Sequence, residues 1–307
     1  MTPRQLKYFV EIARTGNITT AASTLHIAQP ALSHHIAAME EELGVPLLER
    51  HARGVRPTAE GQRLLERATS ILRQMDRLRD DVRDASTHPR GNVSVCIVGS
   101  VAPVLTAPLF QLLSERAPQV RLQLTTGMSR EAQSMVEARS VELALLPTAH
   151  ELPRLQAIPV FQETFCLFGR PELVGADATP IAFADIGDRP LVAPDRAHDL
   201  RRMVERTAMD LNCQLSIRYE LNNSELLRRV VAEGLACAVM SRNAFADPAA
   251  AGVVAREITQ PVIERTQSLV WMVDQALSPA AEAVRATLLE LIDRLIENGR
   301  LKARRFS

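Results

Sequence analysis

The chain is 307 residues long, 46% hydrophobic, and balances 36 Lys and Arg against 36 Asp and Glu, which allows roughly two or three globular domains and excludes a global electrostatic pull toward polyanions. Any contact with a polyanion must then come from a local cluster of positive charge. No uninterrupted apolar run approaches the roughly 20 residues of a membrane span, and the opening MTPRQLKYFVEIARTGN lacks the apolar core of a secretory signal, so a cytoplasmic protein without a membrane partner is expected.

In chain order, Thr2 and Gln5 form a T-x-x-Q capping box with Pro3 in the first turn. They start a helix with Leu6, Phe9, Val10 and Ala13 on one face. Gly16 ends it, and Asn17 caps a second helix from about Ile18 to Leu25, in which Ala21 and Ala22 are small enough for another helix to cross closely. After a connection from His26 to Ala28, a third helix opens near Gln29 and Pro30. It places Leu32, Ile36, Met39 and Leu43 at steps of four, three and four, and Gly44 supplies a left-handed stop. Two short helices joined by a tight turn make a helix-turn-helix. Beyond Pro46, LLERHARGVRPT has two short extended arms around Ala52, Arg53 and Gly54, the pattern of a hairpin or wing.

Thr58 caps a long helix whose apolar residues fall at Leu64, Ala68, Ile71, Met75, Leu78, Val82 and Ala85, alternating steps of four and three. This heptad seam predicts a partner helix from a second copy. Packing on its own domain is the rival, against which the breaker-rich STHPRG ends the helix abruptly. Each fully buried seam side chain would contribute on the order of 1.5–3 kcal/mol.

From Asn92 onward the strand-like runs VSVCIV, VRLQLTT, VELALLP, FCLFG, PLVAP and ACAVMS alternate with helical stretches at Val104 to Arg116, Arg130 to Arg139, Leu200 to Leu211 and Ser224 to Glu233. The alternation predicts one or two parallel α/β sheets with ligands where strand ends meet helix starts. Ser100, Ser129 and the pair Asn222 and Asn223 stand at such starts. Free backbone N–H groups there attract anions, although plain helix capping explains the same residues. A last helix, opened by Ser278 and Pro279, packs Leu288, Leu291, Ile292 and Leu295 back onto the body.

Catalytic signatures are missing: there is no G-x-S-x-G, P-loop, H-E-x-x-H or G-x-G-x-x-G. Glu41 with Glu42 and Asp80 with Asp81 read as solvated helix faces. The four cysteines show no CxxC pair. Cys96, Cys166 and Cys237 sit in apolar runs and read as buried, which leaves Cys213 as the one redox candidate. No enzyme activity, metal or cofactor is expected. A two-lobed solute-binding protein without a DNA role and an α/β enzyme are the competing readings.

The stretch ITTAASTLHIAQPALSHHIAAMEEELGVPLLERHARGVRPTAEG resembles the amino-terminal signature of LysR-type transcriptional regulators. VRLQLTTGMS and LRRVVAEGLACAVMS are similar to that family's effector domain, and IPVFQETFCLFGRPEL and PLVAPDRAHDLRR resemble its nitrogen assimilation control subgroup. The resemblance implies a winged helix-turn-helix over residues 1–58 (helix-turn-helix about 18–37), a dimerising linker helix over 59–89, and a periplasmic-binding-protein-like α/β effector domain over 90–303. Lobe 1 would take about 90–161 and 267–303, and lobe 2 about 162–266. This chain departs from the family pattern at Leu48, where phenylalanine is common, at Pro57 in place of leucine, and at Arg139, where glycine is frequent. His34 replaces a frequent arginine.

If Leu32, Ile36 and Met39 face the core, helical geometry turns Gln29, Pro30, Ser33, His34 and Ala37 outward. Gln29 suits adenine N6 and N7, Ser33 a base edge or phosphate, and Ala28 and Pro30 a thymine methyl. Arg50, Arg53 and Arg56 beside His51 suit phosphates or a narrow minor groove, and Thr19 and Thr20 the backbone. The resemblance further implies an effector cleft lined by Ser100, Val101, Ser129, Thr148 and the loop holding His198, taking a small anionic metabolite as co-inducer. Expected partners are double-stranded operator DNA, the effector, further copies as homodimer or homotetramer through Leu64, Ala68, Ile71, Met75, Leu78 and Val82, and RNA polymerase at the promoter.

Overall fold

The computed structural model describes residues 1–51, 54–83, 89–147 and 152–306, with backbone alone at positions 73, 76, 77 and 79–83. The chain divides into two units, Met1–Ser86 with Ala138–Ser140, and Thr87–Glu137 with Val141–Ser307.

In the first unit, α1 (Pro3–Thr15) starts on the Thr2/Gln5 capping box, and Gly16 closes it at φ 63° with its N–H on the Ile12 carbonyl. α2 (Ile18–Leu25) is capped by Asn17 and ends at a left-handed His26; α3 (Gln29–Leu43) ends at Gly44. Leu6, Phe9 and Ile12 pack with Ala21, Ala22, Leu32, Ile36 and Met39 in one buried core. The hairpin β1 (Leu48–His51) and β2 (Gly54–Pro57) is antiparallel, with Glu49 opposite Arg56. It docks where two glycines meet: the Val55 amide donates to the Gly16 carbonyl at 2.9 Å, and a Cβ on Gly54 would stand 2.2 Å from that oxygen. α4 (Ala59–Arg83) follows, entered through Thr58, whose hydroxyl donates to Pro46 O and accepts from the Gly61 amide.

The second unit runs β3 (Gly91–Val98), α5 (Ala102–Arg116), β4 (Val120–Gly127), α6 (Ser129–Glu137), β5 (Leu143–Pro147), β6 (Leu155–Gly169), α7 (Pro171–Val174), β7 (Ile181–Ala182), β8 (Leu191–Ala193), α8 (Asp199–Asp210), β9 (Ile217–Glu220), α9 (Ser224–Ala232), β10 (Ala238–Ser241), β11 (Val254–Thr259), β12 (Glu264–Met272), α10 (Pro279–Glu297) and β13 (Ala303–Arg305). Its large sheet orders β4-β3-β5-β12-β6-β11-β7, with β10 and β13 also on β6; β8 and β9 pair separately.

The expected parallel sheet is corrected to a mixed one. β3 pairs in parallel with β4 and β5, but β12 runs antiparallel to β5 and β6, and β10, β11 and β13 antiparallel to β6. β6 is 15 residues long. Its first part belongs to a core with β3, α5 and α10, where Phe161 is buried, and its last part to the cores that hold Phe165, Leu167 and Phe168. β12 returns between the same cores, so these two strands carry the chain from one lobe to the other. Beside them the carboxyl-terminal segment is fastened: Lys302 N and O bond the Asn243 side chain, and the Phe306 amide donates to Val160 O. Arg139, in the turn before β5, holds φ 57°, a conformation that costs an L side chain roughly 1–2 kcal/mol and explains the glycine frequent there in the resembling family.

Candidate nucleic-acid interface and ligand cleft

The start of α3 is an exposed ledge. Ala28, the N-cap residue, makes no side-chain cap bond, so amide groups at this helix end keep their donors free for an outside acceptor. Gln29, Pro30, His34 and Ala37 are exposed and Ser33 half-buried, while Leu32, Ile36 and Met39 face the core. Gln29 Nε2 donates to Ser33 Oγ at 3.0 Å, which orients the amide along the helix face. His34 lies beside His35, ring centroids 6.3 Å apart, and His35 tilts against Tyr8 at 5.2 Å. Thr19 and Thr20 are exposed in the first turn of α2.

On the hairpin Arg50 and Arg56 are exposed, but Arg56 Nε meets Glu49 at 2.8 Å. The positive cluster read from the sequence is thereby partly neutralised by its cross-strand neighbour. Arg53 lies outside the described residues. The hairpin's angle is set by a residue that sequence reasoning missed: Glu40 of α3 accepts the Leu47 and Leu48 amides on one carboxylate oxygen, at 2.7 and 3.1 Å. The E-x-x-x-G spacing before the hairpin is its only signal.

The seam of α4 divides. Ala68 is buried in the core of the first unit and Leu64 and Leu72 pack against it, which corrects Ala68 from a partner contact to an internal one. Further along, Ile71 is 43% and Leu78 64% exposed, Met75 is half-buried, and the Val82 side chain lies outside the described residues.

In the second unit, Ser100, Ser129 and His198 line one cavity of ≈ 60 Å³ together with Ser224, Ser241 and Arg265. Thr148 lies outside the described residues. Val101, expected in the lining, is instead buried in the core of the first lobe, because the chain turns there into α5 and its side chain points away from the cavity wall. Ser129 opens α6, His198 caps α8 and Ser224 opens α9, so three helix N-termini border the cavity. The cavity shares Gly99, Gly127, Met128 and Ser224 with a wider groove of ≈ 1240 Å³.

His198 caps α8, its Nδ1 accepting the Leu200 amide at 3.2 Å, which leaves Nε2–H as its donor. Burial, aided by the Arg265 guanidinium, pushes this imidazole down to about 4 against the opposing pull of Asp199 and Asp195. It is neutral at physiological pH. Arg265 itself is nearly buried and pairs with the fully buried Glu163. Neither was found in the sequence, since each lies in a strand whose buried polar residues break the apolar pattern. Among apolar side chains such as Val98, Leu200, Leu227 and Val239, the polar groups of the lining are the Arg228 and Arg265 guanidinia, serine hydroxyls and a neutral imidazole, a set that offers hydrogen-bond donors to an acceptor-rich anion.

Burial pushes the Cys96, Cys166 and Cys237 thiols up to about 12, 11 and 11, so they keep their protons; Cys213 is half-buried. Among the described residues no group of three His, Cys, Asp or Glu side chains is placed to hold a metal, and no helix is long and apolar enough to cross a membrane.

Residues 3–62 match the family model described as bacterial regulatory helix-turn-helix protein, LysR family, and residues 86–293 match the LysR substrate binding domain. Over 306 residues the chain is 31% identical to the nitrogen assimilation regulatory protein of Klebsiella aerogenes, covering 98% of this chain and 99% of that protein. It is 25% identical over 304 residues to the DNA-binding transcriptional dual regulator OxyR of Escherichia coli, covering 97% and 99%. Among solved structures, full-length CbnR complexed with its target DNA superposes with a TM-score of 0.70 at 23% identity, covering 96% of this chain and 99% of that one.

Proposed function

This chain belongs to the LysR family of bacterial transcriptional regulators, DNA-binding proteins with an effector-binding domain, and from that membership we propose which residues read the duplex and what kind of molecule the effector is. The α3 ledge enters the major groove, with Gln29 and Ser33 on base edges, Ala28 and Pro30 against a thymine methyl, and His34 tuning base preference. Thr19, Thr20, Arg50 and the wing arginines hold phosphate. The observation that carries this reading is the outward Gln29–Ser33 pair on a helix whose opposite face buries Leu32, Ile36 and Met39.

Two copies associate through the exposed run of α4, Ile71, Met75 and Leu78, and pairing of dimers gives the tetramer. The effector is a small anionic metabolite held in the cavity by Ser100, Ser129, His198 and Arg265. A cavity of ≈ 60 Å³ is well below the roughly 300 Å³ of ordinary ligand pockets, so a larger effector enters a more open state of the lobes. Closure around it alters how a dimer presents its reading heads, to an extent limited by the effector's differential affinity for the two states.

The test is duplex binding by the full chain, measured by fluorescence anisotropy on the DNA upstream of its own coding region. Gln29→Ala should cost about 1–3 kcal/mol at one base pair and relax preference there, whereas Arg50→Ala should weaken all sequences alike and reduce the salt slope by about 1. Equal affinity of both variants for every duplex at moderate salt rules the docking out.

A further inference from the structure

The second unit contains a buried ion pair at the point where its two lobes are joined. Glu163 on β6 stands directly opposite Arg265 on β12. Two residues earlier on β6, Phe161 belongs to the first lobe's core; two residues later, Phe165 belongs to the second's. Along β12 the same passage is made from Ile263, just before the strand, to Leu269, across a register shift at Gln267/Ser268. Glu163 and Arg265 therefore sit on the strands about which the lobes would move.

The donors and acceptors of this pair do not match in number. Glu163 is satisfied several times over: Arg265 Nε and Nη2 both donate to Oε1 at 3.0 and 2.6 Å, Gln267 Nε2 to the same oxygen at 2.6 Å, and Ser241 Oγ to Oε2. Arg265 retains a surplus. A guanidinium has five N–H donors; among the described residues its one acceptor beyond Glu163 is Ser100 Oγ, 3.4 Å from Nη2, and Nη1 makes no hydrogen bond to them. The guanidinium lines the cavity, backed by the Phe165 ring 5.0 Å away. Removed from bulk water, it attracts an anion far more strongly than a surface arginine does.

We propose that Arg265 is shared between Glu163 and a small oxyanion in the cavity, so that the bound anion loosens the Arg265–Glu163 pair and with it the fixed geometry of the two crossover strands. Glu163 is then an internal competitor, setting how tightly the anion binds and coupling its arrival to lobe movement. This rests on the reading of the cavity as the effector site. It supplies the reason for the effector's negative charge: the ligand must carry charged acceptor oxygens, because a neutral molecule cannot take Arg265 from a carboxylate.

The experiment uses the full chain and sodium sulfate as the probe, titrated calorimetrically with ionic strength held constant by sodium chloride, and hydrogen exchange over residues 161–168 and 264–270 with and without sulfate. Wild type should bind sulfate saturably in the millimolar range and exchange faster in both strands when it does. Glu163→Gln should bind at least tenfold tighter and exchange fast without sulfate. Arg265→Gln should lose binding, and Arg265→Lys should keep it at reduced affinity. Gln267→Met, which removes a donor to Glu163 outside the cavity lining, should shift affinity the opposite way, several-fold weaker, and serves as the second variant should Glu163→Gln fail to fold by circular dichroism. Loss of packing alone would not move the two variants in opposite directions. No saturable sulfate binding by wild type, wild-type binding by Arg265→Gln, or equal affinities in Glu163→Gln and Gln267→Met would overturn the proposal. A neutral metabolite that binds the cavity when sulfate does not would overturn it too, together with the anionic character proposed for the effector, while leaving the cavity itself as the effector site.

Discussion

Glu40 accepts both the Leu47 and the Leu48 amide on a single carboxylate oxygen. Glu40→Ala would strand two partly buried donors and should lower the stability of the first unit by about 1–3 kcal/mol, read as a drop in the thermal midpoint. His198 gives a pH signature. An imidazole held down to about 4 in the folded chain, against an ordinary 6.5, binds its proton more readily when unfolded. The stability contributed by keeping it neutral is complete above pH 6.5 and is lost as pH falls toward 4. Melting of His198→Gln should accordingly depend less on pH across that window than melting of the wild type. At this scale the capping residues and the outward side chains of α3 could be read in advance, because short-range spacing determines them. Glu40, Glu163 and Arg265 could not, because their partners lie in other elements and a lone charged residue carries no sign of what it will meet.

At the scale of elements, the heptad spacing of α4 was legible but its division of labour was not. A period of three and four marks an apolar stripe without saying what covers it; here Ala68 is covered by the chain's own core and Leu78 is left 64% exposed. The two positions should therefore respond differently to charge. Leu78→Glu should weaken self-association by tenfold or more, on about 1.5–3 kcal/mol per buried leucine, with the first unit still folded, as sedimentation equilibrium would record. Ala68→Glu should instead unfold that unit. The sheet's mixed direction escaped the sequence for a related reason. β6 and β12 bury Glu163, Gln267 and Ser268, and these polar positions left only FCLFG, the end of β6, legible as a strand and hid β12 and the rest of β6.

For the whole molecule, the two-lobed second unit followed from the family resemblance and not from the strand pattern, which fitted either one sheet or two. The lobes meet closely at Gly99, where an added Cβ would lie 2.3 Å from Ser224 Oγ and 2.7 Å from its Cβ. Gly99→Ala should act as a wedge, costing about 1–3 kcal/mol in stability and weakening ligand binding through incomplete closure, which calorimetry with the eventual effector would detect. The carboxyl-terminal strand has a practical consequence. Ala303, Arg304 and Arg305 pair with Glu163, Gln162 and Phe161, so this strand lies across the joint about which the proposed lobe motion would turn. A purification handle or fluorescent fusion joined directly behind this strand would load that joint, and a reporter strain built on such a fusion would measure a stiffened or sprung protein instead of the native one.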